Sequence, residues 1–401
     1  MWDGEYPWDV RVEKVSQCLT NAGFLVSVVA RNRRAEPSLE LLEEAAVHRL
    51  RPLRGLPKAV SDASMFPAFF NPRWYRAIRD VCELPHTRLI LCRDLPLAIP
   101  AIVVGRRFRL PVVLDMAENY PGMLEERRAT GRWTLTDRIV RSPHAAANVE
   151  KWVLRHVDAV LTVVEESGQR IREHGVDAER ITVVRNTPPL SRLLHPIVEH
   201  NTNSPLRLVY LGLVEEQRGV GVLLDAVRML TVRGAKVEVN IVGGGKDMTT
   251  CMRYARQIQL STETVKFTGH LPNETALEHL RTAHVGVSPL WRGAHIDTTV
   301  PNKLFDYMAA GLPVVTSDSP PSARTVRSAE CGLVFRDRDA ESLASVLDQL
   351  RDCSARQRLG ANARIAIRDK YNWERDCRRL VAVVGRLIKD SRTTRWRPVT
   401  C

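Results

Sequence analysis

Short apolar, β-branched runs alternate with amphipathic helical stretches along nearly the whole chain, and this alternation restricts the fold more than any other feature. The runs "FLVSVVA" (24–30), "TRLILC" (87–92), "LPVVLD" (110–115), "DAVLTVV" (158–164) and "ITVV" (181–184) fall in the first half. "LRLVYLG" (206–212), "KVEVNIVG" (236–243), "VKFTG" (265–269), "HVGVSPL" (284–290), "LPVVTSD" (312–318) and "CGLVF" (331–335) follow in the second. Continuous apolar strands separated by helices imply parallel sheets covered on both faces, an α/β architecture. At 401 residues the chain is long enough for more than one such domain. Between the two sets lies "NTPPLSRLLHPIVEHNTNSP" (186–205), rich in Pro and Asn and without a sustained period, which reads as the boundary. Two doubly wound sheets then face each other across a cleft, and such sheets bind ligands beyond the carboxyl ends of their strands.

The beginning of the chain departs from this pattern. A doubly wound domain opens with a strand leading into a helix, whereas here a helix over about Asp9–Ala22 follows a short loop. Two readings stand: residue 1 lies inside a first strand whose start is upstream, or the edge strand is short or absent.

Composition narrows the function less. A formal net charge of +13 attracts anions, whether nucleotide phosphates, nucleic acid or acidic lipid head groups. A genomic preference for Arg over Lys explains the same excess. The eight cysteines are scattered, with no C-x-x-C pair and no zinc-type spacing, and reduced thiols are the economical reading. No apolar run reaches the ~20 residues of a membrane span, so the chain is expected to be soluble or peripheral. The stretch "MFPAFFNPRWYRAIR" (65–79) sets Phe69, Phe70 and Trp74 beside arginines. It reads either as a contact with an anionic membrane surface or as ordinary packing within the first domain.

The segment "TVPNKLFDYMAAGLPVVTSD" (299–318) carries the clearest chemistry. Thr298 and Thr299 can cap, Pro301 suits the first helical position, and Gly311 with Pro313 ends a helix over about Pro301–Ala310. The N–H groups of Asn302, Lys303 and Leu304, with the positive end of the helix dipole, make an anion site of the kind that holds phosphates. Lys303 adds a full charge. Asp306 lies on the same face, placed to accept hydrogen bonds from vicinal hydroxyls. The blander reading is an exposed Lys–Asp pair worth a few tenths of a kcal/mol.

That segment resembles the nucleotide-sugar-binding stretch of family 4 glycosyltransferases, in a subgroup with a P-(S/N)-K-x-(F/I)-(E/D)-Y-M-A-x-G-x-P-V pattern. "YLGLVEEQRGVGVLLDAVRML" (210–230), "VNIVGGG" (239–245), "VKFTGHLPNETALEHLRTAHVGVSPL" (265–290), "CGLVFRDRDAESLASVL" (331–347) and "YNWERDCRRLVAVVGRLI" (371–388) agree in order. "YPWDVRVEKVSQCLTNAGFLVSVVA", "LILCRDLPLA" and "VDAVLTVVEESGQRIREHGVDAERITVVRN" fit in the first half. The resemblance implies a GT-B fold with two Rossmann-like domains. These are an acceptor-side domain at 1–188, a linker at 189–204, a donor domain at 205–372, and a C-terminal helix at 373–401 packing back toward the first.

By residue, the resemblance places Arg218 and Lys303 on the diphosphate, Asp306 on the ribose, Gly212 at a tight turn beside phosphate, and His270 and Leu271 near the base. On the acceptor side it points to Arg93, Asp94, Glu118 and Asn119 as cleft residues, with Glu118 grouped with Arg218 and Lys303 in the chemistry. Departures matter too. Thr298 stands where many relatives have an acid, Leu213 where many have a second basic residue, and Ala117 where many have a catalytic His.

The implied activity is retaining transfer of a sugar from a UDP- or GDP-type donor to a glycan or polyprenyl-linked acceptor, in cell-surface polysaccharide or glycolipid synthesis. It needs no cofactor and no metal. The expected place is the cytoplasm, with peripheral attachment to the inner face of the plasma membrane as an extension. The one D-x-D, "DRD" at 337–339, precedes a helix, so Asp339 is expected to cap it rather than bind metal. "GLVEEQRGVG" and "VGGGK" lack the context of a dinucleotide loop, which disfavours a dehydrogenase. No aromatic-basic RNA motif appears, so nucleic acid is not an expected partner. Two alternatives remain: a nucleotide-sugar epimerase of the same fold, and a non-catalytic nucleotide-binding protein.

Overall fold

The computed structural model describes residues 1–7, 9–51, 69–129, 142–193 and 204–394. The chain divides into two compact units, Met1–Asn186 joined by the chain from Asp376, and Thr187–Arg375.

In the first unit, β1 (Ser27–Ala30), β2 (Leu39–Leu41) and β3 (Ala46–Arg49) form a sheet of order β1-β3-β2, with β1 and β3 parallel and β2 antiparallel to β3. A second, all-parallel sheet holds β4 (Ile90–Arg93), β5 (Val112–Met116), β6 (Ala159–Thr162) and β7 (Ile181–Val183) in chain order. The described helices before β8 are α1 (Val10–Asn21), α2 (Pro72–Cys82), α3 (Ala98–Phe108), α4 (Tyr120–Ala129), α5 (Pro143–His156) and α6 (Glu165–Glu173). Their starts follow local chemistry: Asp9 accepts from Val12 N at 2.8 Å, Asn71 from Arg73 N, and Ser142 from Ala145 N with Pro143 in the first turn. Val113, Leu114, Val160 and Leu161 are fully buried, as strands covered on both faces require.

Strands β2 and β3 were not expected, because "LELLEEAAVHRL" carries the Leu, Glu and Ala content of a helix. Tertiary packing overrides that propensity: Val47 is buried with Tyr6, Val12, Val28 and Ala30. Ahead of α1, residues 1–4 run extended between the two sheets. Met1 N donates to Leu91 O, Arg93 N to Met1 O, Trp2 N to Val29 O and Arg31 N to Gly4 O.

The second unit holds one parallel six-stranded sheet of order β10-β9-β8-β11-β12-β13. Its strands are β8 (Leu206–Leu211), β9 (Val237–Val242), β10 (Val265–Gly269), β11 (Val285–Ser288), β12 (Val314–Ser317) and β13 (Gly332–Phe335). Between and after them lie α7 (Val220–Val232), α8 (Met248–Gln257), α9 (Asn273–Arg281), α10 (Asn302–Ala309), α11 (Pro320–Ser328), α12 (Ala340–Gln349), α13 (Cys353–Asp369) and α14 (Trp373–Thr394). The order is that of a doubly wound fold, and it reverses between β8 and β11, where such sheets open a ligand crevice.

The expectation of reduced thiols is corrected at one pair. Cys18 on α1 and Cys377 on α14, 359 residues apart, are joined by a disulfide with Cα atoms 5.9 Å apart. The two helices bring these positions within bonding reach, which no local spacing could reveal. Cys82, Cys92, Cys251, Cys331 and Cys353 are free.

Candidate functional site

At the switch point of the second unit, β8 ends in Gly212, whose φ of +126° suits glycine. Its N–H donates to Val242 O at 2.9 Å, which fixes the turn against β9. A Cβ here would lie 3.3 Å from Lys303 Nζ, so the bare backbone leaves room for that ammonium. Gly219, after the turn Glu216–Arg218 that carries Arg218, has φ +73° and sits so close to β11 that a Cβ would meet Pro289 O at 1.8 Å. Both glycines therefore set the backbone of one loop.

Helix α10 is held to the same strand ends through its own interior. Leu304, Phe305 and Met308 are buried, as their pattern predicts. Tyr307 is buried as well; its hydroxyl accepts from Leu211 N at 2.8 Å and donates to Val287 O at 3.2 Å. One side chain thus fixes the helix to β8 and β11. A Cβ at Gly286 would strike the Tyr307 ring at 2.2 Å, which accounts for a glycine in the middle of β11.

Lys303 is the unusual group. Its Nζ is buried without a hydrogen-bond partner and lies 3.8 Å from the centroid of the Tyr210 ring. Burial pushes its pKa well below the ordinary lysine value, and the nearby Arg218 guanidinium adds to the shift. The reading of Lys303 and Asp306 as an exposed ion pair is therefore set aside: the ammonium is buried, and Asp306 faces Arg192 at 3.6 Å instead.

The helix start differs from expectation in three details. Pro301 occupies the N-cap with extended backbone and α10 begins at Asn302. Thr298 does not cap it, since its hydroxyl donates to Ala294 and His295 carbonyls within the preceding turn. The Leu304 N–H is also not free: it donates to Pro301 O at 3.1 Å, because the first turn is tightened. Leu304 thus contributes packing rather than an anion-binding donor. Asn302 is exposed, His270 is exposed and Leu271 half-buried just beyond β10. Gly243 N donates to Gly269 O, and the His270 N lies 3.6 Å from where a Gly244 side chain would start, so the β9 and β10 loops abut. Leu213 is exposed.

In the first unit the expected acceptor-side residues form a compensated cluster. Arg93 is buried with Asp94 at 2.7 Å, and its guanidinium lies 5.7 Å from the Trp2 ring. Asp94 has φ +58° at the end of β4, accepts from Ala117 N at 3.1 Å, and donates its own N–H to Asp115 O. Burial raises the Asp94 pKa to about 7 against the opposing pull of Arg93, with Glu118 pushing the same way as burial. Asp115 is held low despite its burial, chiefly by Arg11, whose Nε and Nη2 make contacts of 2.8 and 2.5 Å. Asn119 is buried and caps the start of α4, accepting from Gly122 N at 3.1 Å, so its amide oxygen is already engaged. Glu118 is half-buried beside this cluster.

The aromatic stretch resolves mostly to core. Residues 65–68 lie outside the described residues; Trp74 is buried and Phe69 packs edge-on to Tyr120, while Phe70 stays 40% exposed. Asp339 caps α12, accepting from Ser342 N at 2.8 Å, and Asp337 accepts from Arg292 N.

Residues 9–187 match the family described as "Glycosyl transferase 4-like domain", and residues 205–352 match that described as "Glycosyl transferases group 1". Between them the two matches reach into both units, and the chain has the GT-B fold. Among curated relatives, the chain is 27% identical over 290 residues to the glycogen synthase of Mycobacterium tuberculosis, a match covering 71% of the chain and 66% of that enzyme, just under two thirds of its length. Among solved structures, sucrose-phosphate synthase from Thermosynechococcus elongatus superposes with a TM-score of 0.74 at 20% identity, covering 95% of this chain and 93% of the other. HepE of Anabaena, solved in complex with UDP, gives a TM-score of 0.68 at 12% identity over 96% of this chain and 98% of that one. These likenesses establish the shared fold of both units. Two residues that touch the expected site were not read from the sequence: Tyr210, beneath the Lys303 ammonium, and Arg192, opposite Asp306. Neither carries a local signal, since each meets its partner across about a hundred residues of chain.

Proposed function

We propose that the protein transfers a sugar, with retention at the anomeric carbon, from a nucleotide-diphosphate sugar to a glycan or lipid-linked acceptor. The observation that carries this is the buried, unpartnered Lys303 ammonium beside Gly212 and Arg218, at the switch point of the sheet and the start of α10. A buried cation without a partner is costly unless a ligand supplies the opposite charge. A diphosphate fits, because Lys303, Arg218 and the helix dipole converge on one place.

The chemistry follows from where charge develops. As the bond from the anomeric carbon to the phosphate oxygen breaks, negative charge grows on the diphosphate. Lys303 and Arg218, already in position, stabilise that charge more in the transition state than in the ground state. Asp306 accepts hydrogen bonds from the ribose hydroxyls, and the backbone at His270 and Leu271 reads the base. The UDP complex of HepE and the glycogen synthase relative support a nucleotide-sugar donor and a glycan product.

The test is a thermal-shift series with UDP, GDP, ADP, CMP and buffer. A ligand that binds only the folded protein raises the midpoint with concentration. A rise with one diphosphate, lost in Lys303→Met, supports the reading and names the base. No rise with any of them discards it. Product analysis with donor alone then separates transfer from epimerisation, which needs no acceptor.

A further inference from the structure

Tyr210 stands between the two cations of the second unit's switch point. It is the third inward residue on one face of β8, after Leu206 and Leu208, and all three belong to the core of that unit. The side chain is fully buried. A core position of this kind needs only an apolar ring, and a buried hydroxyl is costly unless it is bonded. Here the hydroxyl donates to Leu213 O at 2.6 Å, in the loop that follows Gly212. The face of the same ring lies 3.8 Å from the Lys303 ammonium.

Each of these contacts bears on a different cation. The loop from Leu213 leads to the turn Glu216–Arg218, and its backbone is anchored along its length. Val214 N donates to Gly244 O at 2.9 Å, Glu216 N to the Asp247 carboxylate at 2.9 Å, and Trp291 N to Gln217 O at 3.0 Å. The anchor from Tyr210 differs in coming from a side chain that also touches Lys303. Burial raises the Tyr210 pKa while the Arg218 charge pulls the other way, so phenol and guanidinium are neighbours. For Lys303, burial and Arg218 both oppose the charged form, and Asp306, three residues on, faces Arg192. The negative face of the ring favours that form. An ammonium on a four-carbon stem has many rotamers. The ring, and the bare Gly212 backbone where a Cβ would lie 3.3 Å from Nζ, define one place for it.

We propose that Tyr210 is the positioning residue of the diphosphate site: its ring face sets where the Lys303 ammonium stands, and its hydroxyl holds the loop that brings Arg218 to the same place. The proposal rests on the reading of this site given above. Charge already in place binds an anion better than charge the ligand must order.

The test is calorimetry with UDP and GDP as probes, from neutral to alkaline pH. Wild type, Tyr210→Phe and Tyr210→Leu are compared, alone and combined with Lys303→Met or Arg218→Met. Tyr210→Phe keeps the ring and loses the hydroxyl. It is expected to bind about fivefold more weakly at every pH, the loss of one hydrogen bond, and this loss disappears in the Arg218→Met background. Tyr210→Leu loses the ring as well. Its affinity is expected to fall at lower pH than that of Tyr210→Phe and to lie about tenfold below it at the alkaline end. That difference disappears in Lys303→Met. Losses that add whatever the background, or a Tyr210→Leu pH profile that matches that of Tyr210→Phe, mark Tyr210 as ordinary core and overturn the proposal. Tyr210→Phe differs from wild type by one oxygen, so its dependence on Arg218 decides the matter if Tyr210→Leu does not fold. A wild type that binds neither probe discards the reading of the site and the proposal with it. Wild-type binding that Lys303→Met weakens, with additive Tyr210 losses, discards the proposal alone.

Discussion

The two units handle buried charge in opposite ways. In the second, Lys303 is buried with no hydrogen-bond partner, and its other charged neighbour, Arg218, repels it. In the first, Arg11 grips Asp115 and Arg93 meets Asp94, with each of the four side chains largely buried. An uncompensated cation at a strand end is a receptor for an anion. A cluster whose charges cancel at home is a device for holding backbone and side chains in place, and it leaves little net field for a ligand. The proposed anion site of the second unit thus leaves its charge open, whereas the cluster in the first unit pairs its charges within itself.

The comparison breaks most visibly at Asp115. Removing one partner of a buried pair strands the other, at a cost of about 3–5 kcal/mol, whereas replacing both by apolar groups is near neutral. Asp115→Ala is expected to lower stability by that amount in denaturant titrations, and Arg11→Met combined with Asp115→Leu to recover most of it. If Asp115→Ala instead left stability intact and abolished transfer, the cluster would be catalytic and the contrast false.

Lys303→Met is expected to show the reverse. Transfer falls about 10²–10³-fold, the usual loss of one preorganised charge, while the thermal midpoint holds or rises because an unpaired buried ammonium is gone. The depressed pKa adds a pH signature. In the free protein Lys303 is neutral over part of the range below the ordinary lysine value, and a bound diphosphate favours its charged form. Nucleotide binding is therefore expected to take up a proton at alkaline pH and to weaken as pH rises through the depressed pKa. Calorimetry in buffers of different ionisation heat reads the uptake, which Lys303→Arg should abolish because Arg stays charged.

A subtler effect sits at Asp94. Its pKa in the folded protein, about 7, stands above the ordinary value of ~3.9. The folded state thus holds a proton that the unfolded chain releases. The resulting stabilisation is complete below about pH 4 and is lost as pH rises through about 7. Asp94→Asn, which keeps the acceptor for Ala117 N, is expected to gain on the wild type by on the order of 4 kcal/mol between pH 4 and pH 8. Parallel stability–pH curves for the two proteins would remove Asp94 as the titrating group.

How much of this was legible in the sequence depended on whether the signal was local. The six strands of the second unit are continuous apolar runs and could be read one by one, as could the inward face of α10, while Gly212 was marked by the resemblance and Gly219 only by the structure. Strands β2 and β3 could not, because Leu, Glu and Ala at 39–49 favour a helix until Val47 is packed against Tyr6 and Val28. The Cys18–Cys377 bond, the Tyr210–Lys303 contact and the Arg192–Asp306 pair join residues far apart in the chain. Periodicity carries no information about such meetings.

The smallest expected effect is the one that best separates two roles for a single residue. Asp306 faces Arg192 at 3.6 Å, with Arg192 37% exposed, so the pair adds little to stability. If the carboxylate also receives the ribose hydroxyls, Asp306→Ala weakens nucleotide binding about tenfold, the loss of a charged hydrogen bond, and barely moves the unfolding midpoint. The ribose can be tested directly. Wild type is expected to prefer a ribonucleoside diphosphate over its 2′-deoxy analogue by several-fold, and Asp306→Ala to bind the two equally. Were the preference to survive in Asp306→Ala while Arg192→Ala removed it, the hydroxyls would be read from the arginine side, and the second unit too would keep one of its charges for internal use.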